Sequence, residues 1–80
     1  MLQHTVIKEI SNHLKCQSEE IYPEMRLDDL GIDSLGAITI IYEMEDQFDI
    51  EIPNEVFDSL ETVNDIVTRL QQILDEKNSV

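Results

Sequence analysis

The sequence predicts an all-α fold: a small four-helix bundle with three main helices, one short helix and a long ordered first loop. Three observations predict it. Apolar residues recur at spacings of three and four in three separate stretches, the periodicity of an amphipathic helix. One alternating run, "FDIEIP", resembles a strand, but no second strand pattern exists to pair with it. The 80 residues suffice for one hydrophobic core. The chain is therefore read as a single domain over 1–80, with its core over about residues 2–76 and a frayed tail at 77–80.

The elements follow in order. Leu2, Val6, Ile7, Ile10 and Leu14 lie on one stripe of a first helix, which the polar "QSEE" after Cys16 ends. The next connection, "CQSEEIYPEMRLDDLGID", is punctuated by Pro23 and Gly31 yet carries Ile21, Met25, Leu27, Leu30 and Ile32. A free linker has no use for so many apolar side chains, so this loop is expected to lie across the core. From Ser34 to Phe48 a second helix is expected to turn Leu35, Ile38, Ile41 (with Ile40), Met44 and Phe48 inward. "FDIEIP" reads as an extended connector that ends at Pro53, after which Asn54 caps a short helical segment through Val56 and Phe57. Thr62 followed by Asp65 is a capping-box variant that opens the last helix, with Val63, Ile66, Val67, Leu70, Ile73 and Leu74 on its stripe. "DEKNSV" has no apolar anchor and is expected to fray.

The charge narrows the function. Eighteen acids against five Lys and Arg give a net charge of −13, which argues against nucleic acid and anionic membranes, since phosphate binding needs a basic surface. From Leu27 to Thr68 the chain has twelve acids and no Lys or Arg. Solubility alone accounts for such a surface in many proteins, but the length of this run points also to a basic patch on a partner protein. The single Cys16 excludes an internal disulfide and a thiolate metal cluster. Polar residues break every apolar run of the N-terminal "MLQHTVIKEI", so no signal peptide or membrane span is read there, and a cytoplasmic location is expected.

The triplet Asp-Ser-Leu occurs twice, around Ser34 and around Ser59. Neither sits in the Gly-x-Ser-x-Gly turn of a serine hydrolase. His4 and His13 are nine residues apart on the first helix and so lie on different faces, which leaves no clear general base. "DDLGIDSLGAIT" also lacks the ligand spacing of a calcium-binding EF-hand. Catalysis by this chain is not expected. Ser34 falls where the ordered loop meets the second helix, so a phosphate on its hydroxyl would meet the positive end of the helix dipole, an effect worth about 0.3–1 kcal/mol. A simple N-cap role fits the same address, and position alone favours it. Ser59 reads as a structural corner.

"LGIDSLGAITIIYEMEDQFDIEIP" resembles the acyl carrier proteins: a Leu-Gly-x-Asp-Ser-Leu signature, an amphipathic helix ending in acid-acid-x-Phe, then Ile-x-Ile-Pro. "LETVNDIVTRL" is similar to the start of that family's last helix. The resemblance implies the four-helix carrier fold and a covalent 4′-phosphopantetheine, taken from CoA onto Ser34, with Asp33 and Leu35 completing the motif. It implies a non-enzymatic carrier that presents acyl thioesters to partners: a phosphopantetheinyl transferase and acyl-transferring and acyl-modifying enzymes with basic patches, in fatty acid, lipid or polyketide biosynthesis. Carriers of bacterial fatty acid synthesis typically hold acids at the places of Gly36 and Thr39, and a small or apolar residue at that of Glu43. Recognition is therefore expected to shift toward Glu43, Glu45 and Asp46, with Gly36 and Thr39 still on the partner face. Ile38, Ile41, Met44, Val56 and Phe57 are candidates to line an acyl pocket. The expected state is a free-standing monomer. An aminoacyl or peptidyl carrier, and an unmodified acidic interaction module, stand as alternatives.

Overall fold

The computed structural model describes residues 2–78. Its elements are α1 (Leu2–Leu14), a single 3-10 turn at Ser18–Glu20, α2 (Ser34–Phe48), α3 (Asn54–Phe57) and α4 (Val63–Asn78). Among the described residues the only β pairing is one isolated antiparallel bridge between Arg26 and Thr62, so "FDIEIP" is the connector that its missing partner strand implied.

α1 ends because Lys15 turns into the left-handed region at φ 58. The Cys16 N–H then donates back to the Ser11 carbonyl at 3.0 Å, one of the ways a terminal turn satisfies its free carbonyls. The stripe of α1 buries Val6, Ile7 and Ile10, with Leu2 and Leu14 packed at the margin. α4 contributes Val63, Ile66 and Leu70, and Val67 and Ile73 lie half-buried beside them.

The long loop crosses the core as its apolar content requires. Ile21, Leu27 and Ile32 are buried, and Met25 and Leu30 pack against them. Its backbone is stitched to the start of α4: Leu27 N–H to Glu61 O at 2.9 Å, Val63 N–H to Met25 O at 3.0 Å, and Asn64 N–H to Pro23 O at 2.9 Å. Arg26 adds exposed ion pairs to Asp28 at 3.1 Å and Glu61 at 3.7 Å, which contribute little individually.

Three features correct the sequence reading. The buried face of α2 is Ile40, Ile41 and Met44, flanked by Ala37 and Phe48, while Leu35 is 74% exposed. α2 carries apolar residues on nearly every side, so periodicity alone cannot select its inner face; the best-packed residues select it. Asn54 is the first residue of α3, and Pro53 holds the cap position without a side-chain bond; the fixed φ of proline suits a helix start. Lys77 and Asn78 are helical where fraying was expected. The Lys77 ammonium donates to the Asp49 carbonyl at 2.6 Å and the Phe48 carbonyl at 3.4 Å, placing a cation at the C-terminal end of α2, where the helix dipole favours one. Ser79 and Val80 lie outside the described residues.

Candidate functional site

Gly31 takes φ +79, a conformation that L-residues adopt at a cost. The turn it makes is closed by Gly31 N–H to Asp28 O at 3.0 Å and Ile32 N–H to Leu27 O at 2.9 Å. Ile32 is thereby driven into the core, and Asp33 emerges extended, with φ −87 and ψ −173. Asp33 is the N-cap of α2: its Oδ1 accepts the Gly36 N–H at 2.8 Å, and its carbonyl accepts the Ala37 N–H at 2.9 Å. The capping role that position offered to Ser34 belongs to its neighbour.

Ser34 is therefore the first helical residue, exposed, and among the described residues nothing is hydrogen-bonded to its hydroxyl. Ser59 differs at each point. Its Oγ donates to the Val56 carbonyl at 2.9 Å and receives the Arg69 guanidinium at 3.5 Å, which is the tied-down hydroxyl of a structural corner.

The other sequence-predicted residues are spread over α2 and α3. Thr39 is exposed, with its hydroxyl spent on the Leu35 carbonyl at 2.9 Å. Glu43 and Asp46 are exposed, but Glu45 is half-buried and its Oε2 accepts the Ile52 N–H at 2.7 Å. Glu45 thus anchors the connector after α2. Ile41 and Met44 lie fully inside the core, Val56 and Phe57 pack half-buried against it, and Ile38 is half-buried outside it. Of two open surface clefts, of about 840 and 400 Å³, the larger is lined by Glu45 and Asp46 together with Tyr42, Asp49 and Glu51 among others, and neither is lined by the acyl-pocket candidates.

Charge around the site is acidic. The Arg26 guanidinium, hydrogen-bonded to Asp28, holds that carboxyl below the usual carboxylate range. Across the seam between α1 and α2, Glu9 shares a hydrogen bond with Glu43, which with partial burial pushes the Glu9 carboxyl up. Among the described residues no group of three His, Cys, Asp or Glu is placed to hold a metal ion.

Sequence reasoning missed two residues. Tyr42 is 57% exposed on the outer side of α2, and its ring meets Phe57 edge-on with centroids 6.5 Å apart. His13, read as a plain surface residue, reaches the first turn of α2. A Cβ on Gly36 would lie 3.3 Å from its Nε2. The absent side chain at position 36 was the signal available.

The bundle thus exposes an unengaged serine at the mouth of an acidic helix. The family model for the phosphopantetheine attachment site matches residues 2–70, and the chain belongs to that family, the acyl carrier proteins and their relatives. It is 41% identical over 66 residues to the acyl carrier protein of Syntrophobacter fumaroxidans, covering 81% of this chain and 82% of that one. It is 38% identical over 72 residues to the meromycolate extension acyl carrier protein of Mycobacterium leprae, covering 89% of this chain and 60% of that one. The crystal structure of an acyl carrier protein from Thermotoga maritima superposes with a TM-score of 0.72 at 24% identity, covering 94% of this chain and 98% of the other, so the helical fold is shared. The cofactor of the family is 4′-phosphopantetheine. Among the described residues no helix is long and apolar enough to cross a membrane.

Proposed function

We propose that this chain carries acyl groups as thioesters on a 4′-phosphopantetheine bound through a phosphodiester to Ser34 Oγ, and does no bond chemistry of its own. The observation that carries the reading is the exposed, unengaged Ser34 hydroxyl in the first turn of α2, inside "LGIDSL". The residues fit the group. Asp33 already caps the helix, so Ser34 is free for modification without the loss of a cap, and the N-terminal end of α2 favours a phosphate charge. When bound, the arm supplies a thiol for thioester formation; Asp33 and Leu35 complete the motif read by the transferase.

The partners are a phosphopantetheinyl transferase and acyl-handling enzymes that offer basic patches to Glu43 and Asp46, which are exposed on α2. Glu45, bonded to Ile52, orients the connector more than it meets a partner. Ile38 on α2 and Val56 and Phe57 on α3, all half-buried, form the entry for an acyl chain, with Ile41 and Met44 as its floor. Entry there requires packed side chains to move, and Met44 is the most adaptable of them.

Gly36 and Thr39 stand where general fatty-acid carriers hold acids, which supports service in a dedicated pathway. One relative is itself named for meromycolate extension. Incubation with CoA and a broad-specificity transferase, read by intact mass, tests the attachment. The expected result is a gain of one phosphopantetheine in the parent and in Ser59→Ala, and none in Ser34→Ala. No gain in the parent leaves an unmodified interaction module as the better reading. Acyl loading by general fatty-acid enzymes as efficient as for a typical carrier would sink the dedicated pathway.

A further inference from the structure

We propose that His13 is a specificity-determining residue of this carrier, selecting partners that bring a carboxylate or carbonyl oxygen, and not Lys or Arg, to the first turn of α2. The inference rests on Ser34 as the attachment site, because that is the turn every loading enzyme must cover.

Three atoms converge on the place where a side chain at position 36 would begin: Asp33 Oδ1, Ile32 Cγ2 and His13 Nε2, each 3.3 Å from an ideal Cβ. His13 comes from the last turn of α1, so a group distant in sequence fills the room that Gly36 leaves. A methyl there is already tight, and any longer side chain must push the imidazole away. Gly36 and His13 are therefore one device.

The chemistry of that device is opposite to its surroundings. Between Leu27 and Thr68 the chain offers acids and neutral groups only. An imidazole always has an N–H to donate and becomes a cation on protonation. His13 is exposed, and among the described residues no carboxylate pairs with it. Glu9, one helical turn back, is engaged with Glu43. Lys15 follows at the same end of α1. The first turn of α2 thus sets a donor beside the Asp33 carboxylate, where a carrier with an acid at position 36 adds a second acceptor. Beside the Asp33 carboxylate, the imidazole repels a Lys or Arg once it is protonated, whereas an oxygen acceptor gains an N–H from either form of the ring. Mismatched charges at an interface act chiefly on encounter and binding, so the effect belongs in KM.

The test is initial-rate kinetics of phosphopantetheine transfer from CoA by a transferase whose carrier-facing surface is basic. The carriers are the parent, a ladder of His13→Lys, His13→Gln and His13→Glu, then Gly36→Ala and the Gly36→Ala/His13→Gln double variant. The expected order of KM is Lys, His, Gln, Glu from weakest to tightest, spanning on the order of tenfold, with kcat within about twofold. Gly36→Ala displaces the ring, so it is expected to lower KM as His13→Gln does and to add nothing in the double variant. A KM indifferent to the ladder overturns the proposal, as does one that follows melting temperature instead of charge, or full additivity in the double variant. Intact mass of the parent after exposure to a broad-specificity transferase separates the two readings: a parent that never gains the arm refutes Ser34 itself and this inference with it.

Discussion

Gly31 and Gly36 are five residues apart and serve opposite needs. Gly31 has the left-handed φ of +79 and open space where a Cβ would stand; Gly36 has an ordinary φ and three atoms at 3.3 Å. Gly31→Ala therefore costs backbone strain without any clash, about 1–2 kcal/mol. Urea denaturation is expected to show a lower midpoint with an unchanged slope, and Gly31→Asn a smaller loss, since Asn tolerates the left-handed region better. Gly36→Ala is expected to be close to neutral in the same assay: the gain in helix propensity, about 0.8–1 kcal/mol, is offset by crowding against Asp33, Ile32 and His13. The motif around Ser34 was legible in the sequence because it is contiguous. The meaning of Gly36 was not, because His13, one of the atoms' owners that gives it meaning, comes from another helix.

The elements were legible wherever one face carried the apolar residues. α1 and α4 pack the stripes that their spacing predicts in or against the core, Leu74 excepted, and α2 keeps its expected bounds of Ser34 and Phe48. Only its inner face differs, since a helix with apolar residues on nearly every side leaves that choice to packing. The C-terminal turn of α4 was illegible for a similar reason: Lys77 is held by carbonyls 28 and 29 residues away, a contact without local pattern. The start of α4, by contrast, is written in its sequence. Asp65 Oδ2 accepts the N–H groups of Glu61 at 2.8 Å and Thr62 at 3.0 Å, and Thr62 Oγ1 accepts the Asp65 N–H at 3.1 Å. Those backbone donors hold the Asp65 carboxyl below the usual carboxylate range. A depressed folded-state value means that the stabilisation is complete above the ordinary carboxylate range and is lost as pH falls through the lowered one. Asp65→Ala is expected to cost about 1 kcal/mol at neutral pH, and chemical denaturation at descending pH should show the gap between parent and variant closing. Because the loop at Pro23, Met25 and Leu27 is bonded to residues 61–64, loss of this cap is expected also to speed amide exchange in the loop that positions Ser34.

On the scale of the whole molecule, five cations face eighteen acids, and two of the five, Arg26 and Lys77, are the ones seen in ion pairs with acids. Folding gathers the remaining carboxylates onto one small surface, so self-repulsion opposes it. Added monovalent salt is expected to raise the melting temperature through screening. The sharpest local case is the Glu9–Glu43 pair, which joins α1 to α2 through two like groups. The hydrogen bond to Glu43, partial burial and the Glu43 charge together push the Glu9 carboxyl up, against a smaller opposing pull from Lys8. A raised folded-state value means that the folded protein holds this proton more tightly than the unfolded chain does. The pair is therefore at its best below the ordinary carboxylate range, and its contribution is lost as pH rises through the raised value, leaving repulsion at neutral pH. Glu9→Gln keeps a donor for Glu43 and removes one charge, so it is expected to melt higher than the parent at neutral pH and alike in acid. Glu43→Gln should do the same, and the double variant should gain less than the sum, because either change alone relieves the pair. Thermal melts of the four proteins at both pH values decide it, and additive gains that persist in acid would place the benefit in helix propensity and not in this seam.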